Sequence, residues 1–122
     1  MKMLLLMMNS LMTFLEKMNR LIHFLFFYYL INYNGDSVKT IKESEFRPGM
    51  GILIDVKDAI SYSEKHNPYS INIYYDKLLL NHNKLLNKNE KYYLICDKGY
   101  KSKKATRILA FYGYNVTYVI NS

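Results

Sequence analysis

Residues 92–106 read Tyr-Tyr-Leu-Ile-Cys-Asp-Lys-Gly-Tyr-Lys-Ser-Lys-Lys-Ala-Thr, and this stretch decides the fold. An apolar run ends at Cys96, a short polar loop that contains Gly99 follows, and a pattern typical of a helix then begins. This order predicts a buried strand that leads through a tight loop into a helix. Cys96 is the only cysteine of the chain, so any thiol chemistry belongs to this loop.

Strand and helix patterns alternate on both sides of this stretch, from residue 51 to the end of the chain. Short apolar runs predict strands at 52–54, 70–73, 92–95 and 116–120, and residues 38–46 have room for one more strand and a helical turn. Helical patterns cover 59–65 (capped by Asp58), 75–80, 83–86 and 102–112, the last ending at Gly113. Such alternation predicts an α/β fold with a central parallel sheet flanked by helices.

Residues 1–31 have a different pattern, and we expect them to form an additional apolar or amphipathic helix. Residues 32–38 form a linker with a turn at 34–37, and the domain occupies 39–122. Three interpretations of the helix stay open: contact with a membrane surface, self-association through residues 3–31, or an extension without a role. The helical stripe consists of Leu4, Met8, Leu11, Leu15, Met18, Ile22, Leu25 and Tyr29.

Composition restricts the class of protein. The chain of 122 residues suits one domain, and a single cysteine excludes an internal disulfide and a cysteine-built zinc site. We therefore expect a reducing compartment, the cytoplasm, with association to the cytoplasmic face of a membrane as an option. The net charge is +7, yet no motif for nucleic-acid binding is present, so we expect small anions rather than nucleic acid as partners. We expect neither a cofactor nor a metal.

The loop after Cys96 has the chemistry of an anion site. Ligands of parallel sheets bind beyond the carboxyl ends of the strands, and unpaired amides at a helix N-terminus favour negative charge. Gly99 allows a positive φ, Ser102 can cap the helix or donate to bound sulfur, and Lys98 and Lys101 add positive charge. Such an environment stabilises a thiolate, which can attack an electrophilic sulfur and become a persulfide. The alternative is a buried structural cysteine.

Four blocks of the sequence, in family order across residues 39–120, resemble rhodanese-like domains. Residues 53–58 resemble their Leu-Ile-Asp-Val-Arg-Asp strand, residues 66–73 their His-Ile-Pro-Gly-Ala-Ile-Asn-Ile segment, and residues 109–116 their Gly-Tyr ending. The fourth block, followed by Ala105, is similar to their active-site loop Cys-x-x-Gly-x-Arg-Ser-x-x-Ala and consists of Cys96, Asp97, Lys98, Gly99, Tyr100, Lys101 and Ser102.

The resemblance implies an α/β fold and a sulfurtransferase that carries sulfur as a persulfide on Cys96. It implies that residues 97–102 bind the substrate, which is a small sulfur-containing anion such as thiosulfate or a persulfide-carrying protein. A non-catalytic binding or sulfur-relay module is the alternative. The ring of six residues from Cys96 through Lys101 matches sulfur-transferring members, whereas the related phosphatases have a longer ring, which disfavours a phosphatase or arsenate reductase.

The sequence departs from the family pattern at several positions. Lys101 and Lys57 replace arginines, and because lysine cannot fork onto an oxyanion we expect thiosulfate to be a poor donor. The chain also lacks the final helix of many members, which predicts a bare flank of the sheet. We hypothesise that the helix at 3–31 covers this flank, because its apolar surface exceeds what a coiled-coil seam needs.

Overall fold

A computed structural model describes Asn9, residues 20–32 and residues 38–121 of the chain. The chain divides into two units, Met1–Asn34 and Gly35–Ser122, and the first contains helix α1, Arg20–Asn32. The parts of the predicted helix at 3–8 and 10–19, and the predicted turn at 34–37, lie outside the described residues. The two units are described separately below.

The second unit is built on a five-stranded sheet in which every pairing is parallel. The spatial order is β1-β5-β4-β2-β3, so β4 is the central strand and β1 and β3 are the edges. The predicted α/β fold with a central parallel sheet is confirmed. The strands are β1 (Thr40–Lys42), β2 (Ile52–Asp55), β3 (Ser70–Asn72), β4 (Lys91–Ile95) and β5 (Asn115–Ile120).

Helices connect the strands, as the alternating pattern predicted. Asp58 caps α2 by accepting a hydrogen bond from the Ser61 amide at 2.9 Å, and this bond lowers the pKa of Asp58. Gly113, with φ 95°, follows the last helix, as predicted. The helices are α2 (Ala59–Glu64), α3 (Tyr75–Leu80), α4 (His82–Leu85) and α5 (Tyr100–Phe111), with short 3₁₀ turns at Glu43–Glu45 and Pro48–Met50.

Both faces of the sheet carry buried apolar side chains, which explains why its strands are continuous apolar runs. Side chains of successive residues point to opposite faces, so Leu94 and Ile95 enter different clusters. The larger cluster lies on the face that α5 covers through Ala105 and Leu109, and it includes Cys96. The smaller cluster consists of Phe46, Leu53, Tyr93, Ile95 and Val119, with Ile41 and Met50 packed against it.

Helix α1 presents large apolar side chains at its surface. Leu21, Phe24 and Tyr28 are all exposed, and the rings of Phe24 and Tyr28 stack with their centroids 6.4 Å apart. Within the described residues, the length and apolar character needed to cross a membrane are not combined in any helix. Membrane-surface contact, self-association and cover for the sheet therefore stay predictions for residues 3–31.

Candidate active site

Cys96 lies at the carboxyl end of the central strand, one residue after β4. The residue is 7% exposed. The neighbouring strand β2 ends beside it, since Asp55 pairs with Ile95 and the Val56 amide donates to the Ile95 carbonyl at 3.0 Å. Cys96 therefore stands at the edge where parallel sheets bind their ligands.

Ser102 contacts the sulfur with both its backbone and its side chain. Its amide donates to Cys96 Sγ over 3.4 Å, and its Oγ lies 3.1 Å from the same atom. The hydroxyl can also donate to the Gly99 carbonyl at 3.3 Å. Because a serine hydroxyl has one proton, it can donate to Gly99 while a thiol donates to it, and to the sulfur once a thiolate has formed. Ser102 can therefore form a hydrogen bond with the sulfur in both its thiol and its thiolate form.

The structure corrects the predicted role of Ser102 as a possible helix cap. Helix α5 begins at Tyr100, two residues before the predicted start, and its N-cap is Gly99 with φ 74°. The left-handed glycine closes the loop early, which moves Ser102 into the buried first turn. Among the described residues, the Ser102 amide is the only loop or first-turn amide within hydrogen-bond distance of Sγ, whereas the sequence predicted several.

Gly99 and Tyr118 are packed together beneath the loop. A methyl group added at Gly99 would overlap the Tyr118 hydroxyl oxygen and would lie 3.2 Å from its Cζ. Tyr118 is on β5, opposite Leu94 of β4, and on the sheet face that carries Cys96. Burial raises the pKa of Tyr118, and the negative charge of a Cys96 thiolate raises it further. A phenol therefore supports the loop from the side of the sheet.

An ion-pair cluster holds Asp97, the residue after the cysteine. Lys57 Nζ lies 3.1 Å from Asp97 Oδ1 and 3.4 Å from Asp55 Oδ2, and it donates to the Lys65 carbonyl at 2.6 Å. Burial raises the pKa of Asp55, although the amide and the charge of Lys57 oppose the change. Burial also acts to lower the pKa of Lys57, but the contacts to Asp97 and Asp55 outweigh it and the pKa is raised.

Asn121 holds the backbone at the start of the loop. Its side-chain amide donates to the Cys96 carbonyl at 2.7 Å and also to the Asp97 carbonyl. The chain after β5 therefore fixes two successive peptide groups of the loop. This contact orients the loop without touching the sulfur.

Lys101, which stands at the arginine position of the resemblance, points toward α3 rather than toward the sulfur. Its Nζ donates to the Tyr74 hydroxyl at 3.3 Å and lies 5.0 Å from the centre of the Tyr74 ring and 5.8 Å from that of Tyr75. The hydrogen bond to Tyr74 raises the pKa of Lys101. Lys98 and Tyr100 are exposed.

The structure therefore separates the predicted site residues into two groups. Ser102 contacts the Cys96 sulfur, Gly99 accepts a hydrogen bond from the Ser102 hydroxyl, and Asp97 is held beside them by Lys57. The side chains of Lys98, Tyr100 and Lys101 lie at the surface, outside hydrogen-bond distance of the sulfur.

Four contacts of the loop were missed from the sequence: those of Lys57, Tyr118, Asn121 and Tyr74. The alternation of β5 could have placed Tyr118 on the same face as Val116, a core residue. Nothing in the sequence pairs Asn121 with residue 96, because that contact depends on how β5 ends. Asp55 caps the turn after β2, as it accepts from the Lys57 amide at 2.9 Å, and the contact of its carboxylate with Lys57 links it to the loop as well.

The histidines of the described domain lie outside these contacts. His66 stacks on Tyr62 with ring centroids 3.8 Å apart, and His82 contacts the Tyr114 hydroxyl at 2.8 Å. Across the described part of the chain, side chains of His, Cys, Asp and Glu do not gather into a group of three that could hold a metal.

Comparison with known proteins identifies the family. A family model described as a rhodanese-like domain matches residues 37–122. The chain belongs to the rhodanese-like domain family. No curated protein matches the chain.

Solved structures of other rhodanese-related proteins are similar to this rhodanese-like domain. A rhodanese-related protein of Thermoplasma volcanium has 25% identity and a TM-score of 0.61, with 66% of this chain and 82% of that chain covered. The reduced CoADR-RHD protein of Bacillus anthracis has 27% identity and a TM-score of 0.61, but the match covers 67% of this chain and only 15% of that longer one. A single-domain sulfurtransferase of Saccharomyces cerevisiae shares the fold at 17% identity, with a TM-score of 0.53 and coverage of 71% and 86%.

Proposed function

We propose that this rhodanese-like domain is a sulfurtransferase that carries sulfane sulfur as a persulfide on Cys96. The observation that carries the proposal is the contact of the Cys96 sulfur with the amide and hydroxyl of Ser102, at the carboxyl end of the central strand. Both groups can donate to a thiolate, and hydrogen bonds to the charged form of a group favour that form. The sulfur is thereby prepared as a nucleophile.

The proposed reaction moves one sulfur atom in two steps. The Cys96 thiolate attacks the outer sulfur of a donor persulfide, R–S–SH; a bond forms between the two sulfurs, the donor S–S bond breaks, and R–S⁻ leaves. Cys96 then carries S–SH. In the second step an acceptor thiolate attacks the outer sulfur, a new S–S bond forms on the acceptor, and Cys96 leaves as a thiolate. The Ser102 hydroxyl and amide stabilise the charge on the leaving sulfur.

Thiosulfate is the poorer donor in this proposal. It would have to bring a dianion to the loop, and the arginine that could grip its oxygens in two places is replaced by Lys101. The Lys101 ammonium is moreover bonded to Tyr74. A persulfide makes no such demand, since only its outer sulfur enters the ring.

Mass spectrometry of the intact protein tests the proposal. The protein is treated with a low-molecular-weight alkyl persulfide and, separately, with thiosulfate. We expect one added sulfur atom, more from the persulfide than from thiosulfate, and none in Cys96→Ser. Because the chain has a single cysteine, the adduct has only one thiol on which to form. A subsequent thiol acceptor should remove it.

Two results would contradict the proposal. Hydrolysis of an aryl phosphate without any sulfur adduct would indicate a phosphatase. Absence of both an adduct and turnover, in protein whose circular dichroism shows it folded, would indicate a non-catalytic module.

A further inference from the structure

Lysines and tyrosines form a surface patch beside the loop, at the first turns of α5. Lys104 Nζ lies 4.2 Å from the centre of the Tyr100 ring, and Tyr100 is 65% exposed. Lys101 lies over Tyr74, on the segment that enters α3. We call Tyr74, Tyr100, Lys101 and Lys104 the tyrosine–lysine patch.

The patch is fixed in place from two directions. The amides of Ile73 and Tyr75, on either side of Tyr74, donate to Asp55 and Val56 carbonyls at the end of β2. Tyr100 is the first residue of α5. Burial raises the pKa of Tyr75, and the charges of Lys104 and Lys101 both oppose that change. Lys101 Nζ lies 5.8 Å from the centre of the Tyr75 ring. A preorganised surface binds with a smaller loss of conformational entropy.

The charge of this surface is mostly uncompensated. Within the described residues, ion pairs form at Lys57 but at none of Lys98, Lys101, Lys103 and Lys104. The acids that act on Lys101 from neighbouring elements are Asp76 and Asp58. A positive field at the rim of a site attracts a negatively charged partner and raises its rate of association.

The size of the patch argues for a protein rather than a small anion. Tyr100 and Lys104 are one helical turn apart, about 6 Å along the axis, and Tyr74 extends the surface toward α3. A small donor would contact only the loop. Tyrosine is enriched in protein interfaces, because its ring gives a large contact area with little loss of side-chain entropy.

We propose that the tyrosine–lysine patch docks an acidic segment of a partner protein and holds that partner's cysteine persulfide over Cys96. The inference rests on the proposed function for the chemical step, in which the Cys96 thiolate takes the outer sulfur and the partner's cysteine leaves as a thiolate. Binding to the patch does not depend on that step. The patch predicts that the sulfur donor is a protein with acidic residues around its cysteine.

Charge reversal with a matched control tests the patch in the full chain. The patch variant combines Lys104→Glu, within the patch, with Lys103→Glu at the exposed neighbouring position of α5. The control variant combines Lys84→Glu with Lys88→Glu and changes α4 and the loop before β4, where Lys88 lies 5.5 Å from the centre of the Tyr114 ring. Each pair lowers the formal net charge from +7 to +3, because each reversal removes two charges. The donors are an acidic, a neutral and a basic synthetic peptide, each with one cysteine persulfide, and a low-molecular-weight alkyl persulfide.

We expect the patch variant to lower kcat/KM for the acidic peptide by about tenfold, and the rate should also fall as salt is added. The alkyl persulfide should react with the patch variant at the wild-type rate, and the control variant should retain both activities. Equal loss in the two variants, equal rates with all three peptides, or an equal loss with the alkyl persulfide would overturn the proposal.

Binding separates failure of the surface from failure of the proposed function. The thiol form of the acidic peptide carries a fluorescent label, and its anisotropy is measured with each variant. If no donor loads sulfur onto Cys96, the docking surface is still supported when the wild type and the control variant bind the peptide and the patch variant does not. If the wild-type protein does not bind the peptide, the docking surface is overturned. Displacement of the peptide by a single-stranded RNA at lower concentration than by an acidic peptide would assign the surface to nucleic acid instead. Circular dichroism checks folding, and Lys104→Gln replaces the double reversal if it unfolds the protein.

Discussion

At the scale of single residues, Gly99 has two separate reasons to be glycine. Its φ of 74° is strained for any L side chain, and the Tyr118 hydroxyl occupies the space that a Cβ would need. Gly113 has a comparable φ of 95°, but the atom nearest to a Cβ added there is the end of the flexible Lys88 side chain, 3.6 Å away. The two positions therefore separate backbone strain from steric overlap.

We expect Gly113→Ala to lower the free energy of unfolding by about 1–2 kcal/mol, and Gly99→Ala to lower it by more. Gly99→Ala should also slow persulfide formation on Cys96, since the displaced loop carries Ser102. Chemical denaturation and intact-mass kinetics measure the two effects. Adding Tyr118→Phe to Gly99→Ala should restore part of the lost stability, because the hydroxyl that overlaps is removed. Equal losses of stability for the two glycine variants would show that the Tyr118 side chain moves away from the added methyl group without a cost in free energy.

At the scale of elements, Lys57 connects the end of β2 to the loop after β4. It contacts the nearly buried carboxylate of Asp55 and the exposed carboxylate of Asp97. The Asp55 side chain is 3% exposed, whereas that of Asp97 is 64% exposed. An unpaired buried charge costs far more than an unpaired surface charge. The contact to Asp55 should therefore account for most of the stability that Lys57 contributes.

We expect Lys57→Met to lower the free energy of unfolding by about 3 kcal/mol at neutral pH, because it leaves Asp55 buried without its cation. A carboxyl whose pKa is raised in the folded state lowers the free energy of unfolding of the protein as pH rises through that pKa. The variant should thus be closest to wild type in acid, and the difference should grow as pH rises above the ordinary Asp value of 3.8. Urea unfolding across pH measures it. The double variant Asp55→Asn, Lys57→Met should recover most of the loss; a difference independent of pH would contradict this account.

The sequence predicted elements better than contacts between them. Apolar runs and the Asp58 cap depend on nearby residues, so the strands were placed within one or two residues. The helix after the loop was started two residues late, because the pattern alone does not reveal the left-handed Gly99 as its cap. Cys96 could be selected as the sole thiol after a buried strand. The contacts of Lys57 with Asp97, and of Asn121 with the loop, join residues far apart in sequence and required the fold.

At the scale of the whole molecule, the two units differ in how much buried apolar core the described residues of each contain. The described buried clusters belong to residues 46–119, within the second unit. By contrast, α1 exposes several large apolar side chains, among them Leu21, Phe24 and Leu25. Stability of the second unit should therefore depend mainly on its own core.

We expect a chain that begins at residue 35 to unfold cooperatively and to form the same persulfide. Calorimetry and intact-mass analysis of the shortened and full chains measure this. A lower melting temperature of the shortened chain would support the hypothesis that residues 3–31 cover the flank of the sheet, and an unchanged one would count against it. Loss of cooperative unfolding would show that the core clusters are insufficient alone.

The strand order has a consequence for synthesis of the protein. Among the described strands, β1 pairs only with β5, the fifth in chain order, so β1 waits for this partner until residues 115–120 have left the ribosome. The same late segment brings Tyr118 beneath Gly99 and Asn121 to the backbone of the loop. A nascent chain halted before β5 would present the thiol without this support, so the surroundings of Cys96 are completed only after residues 115–121 have been made.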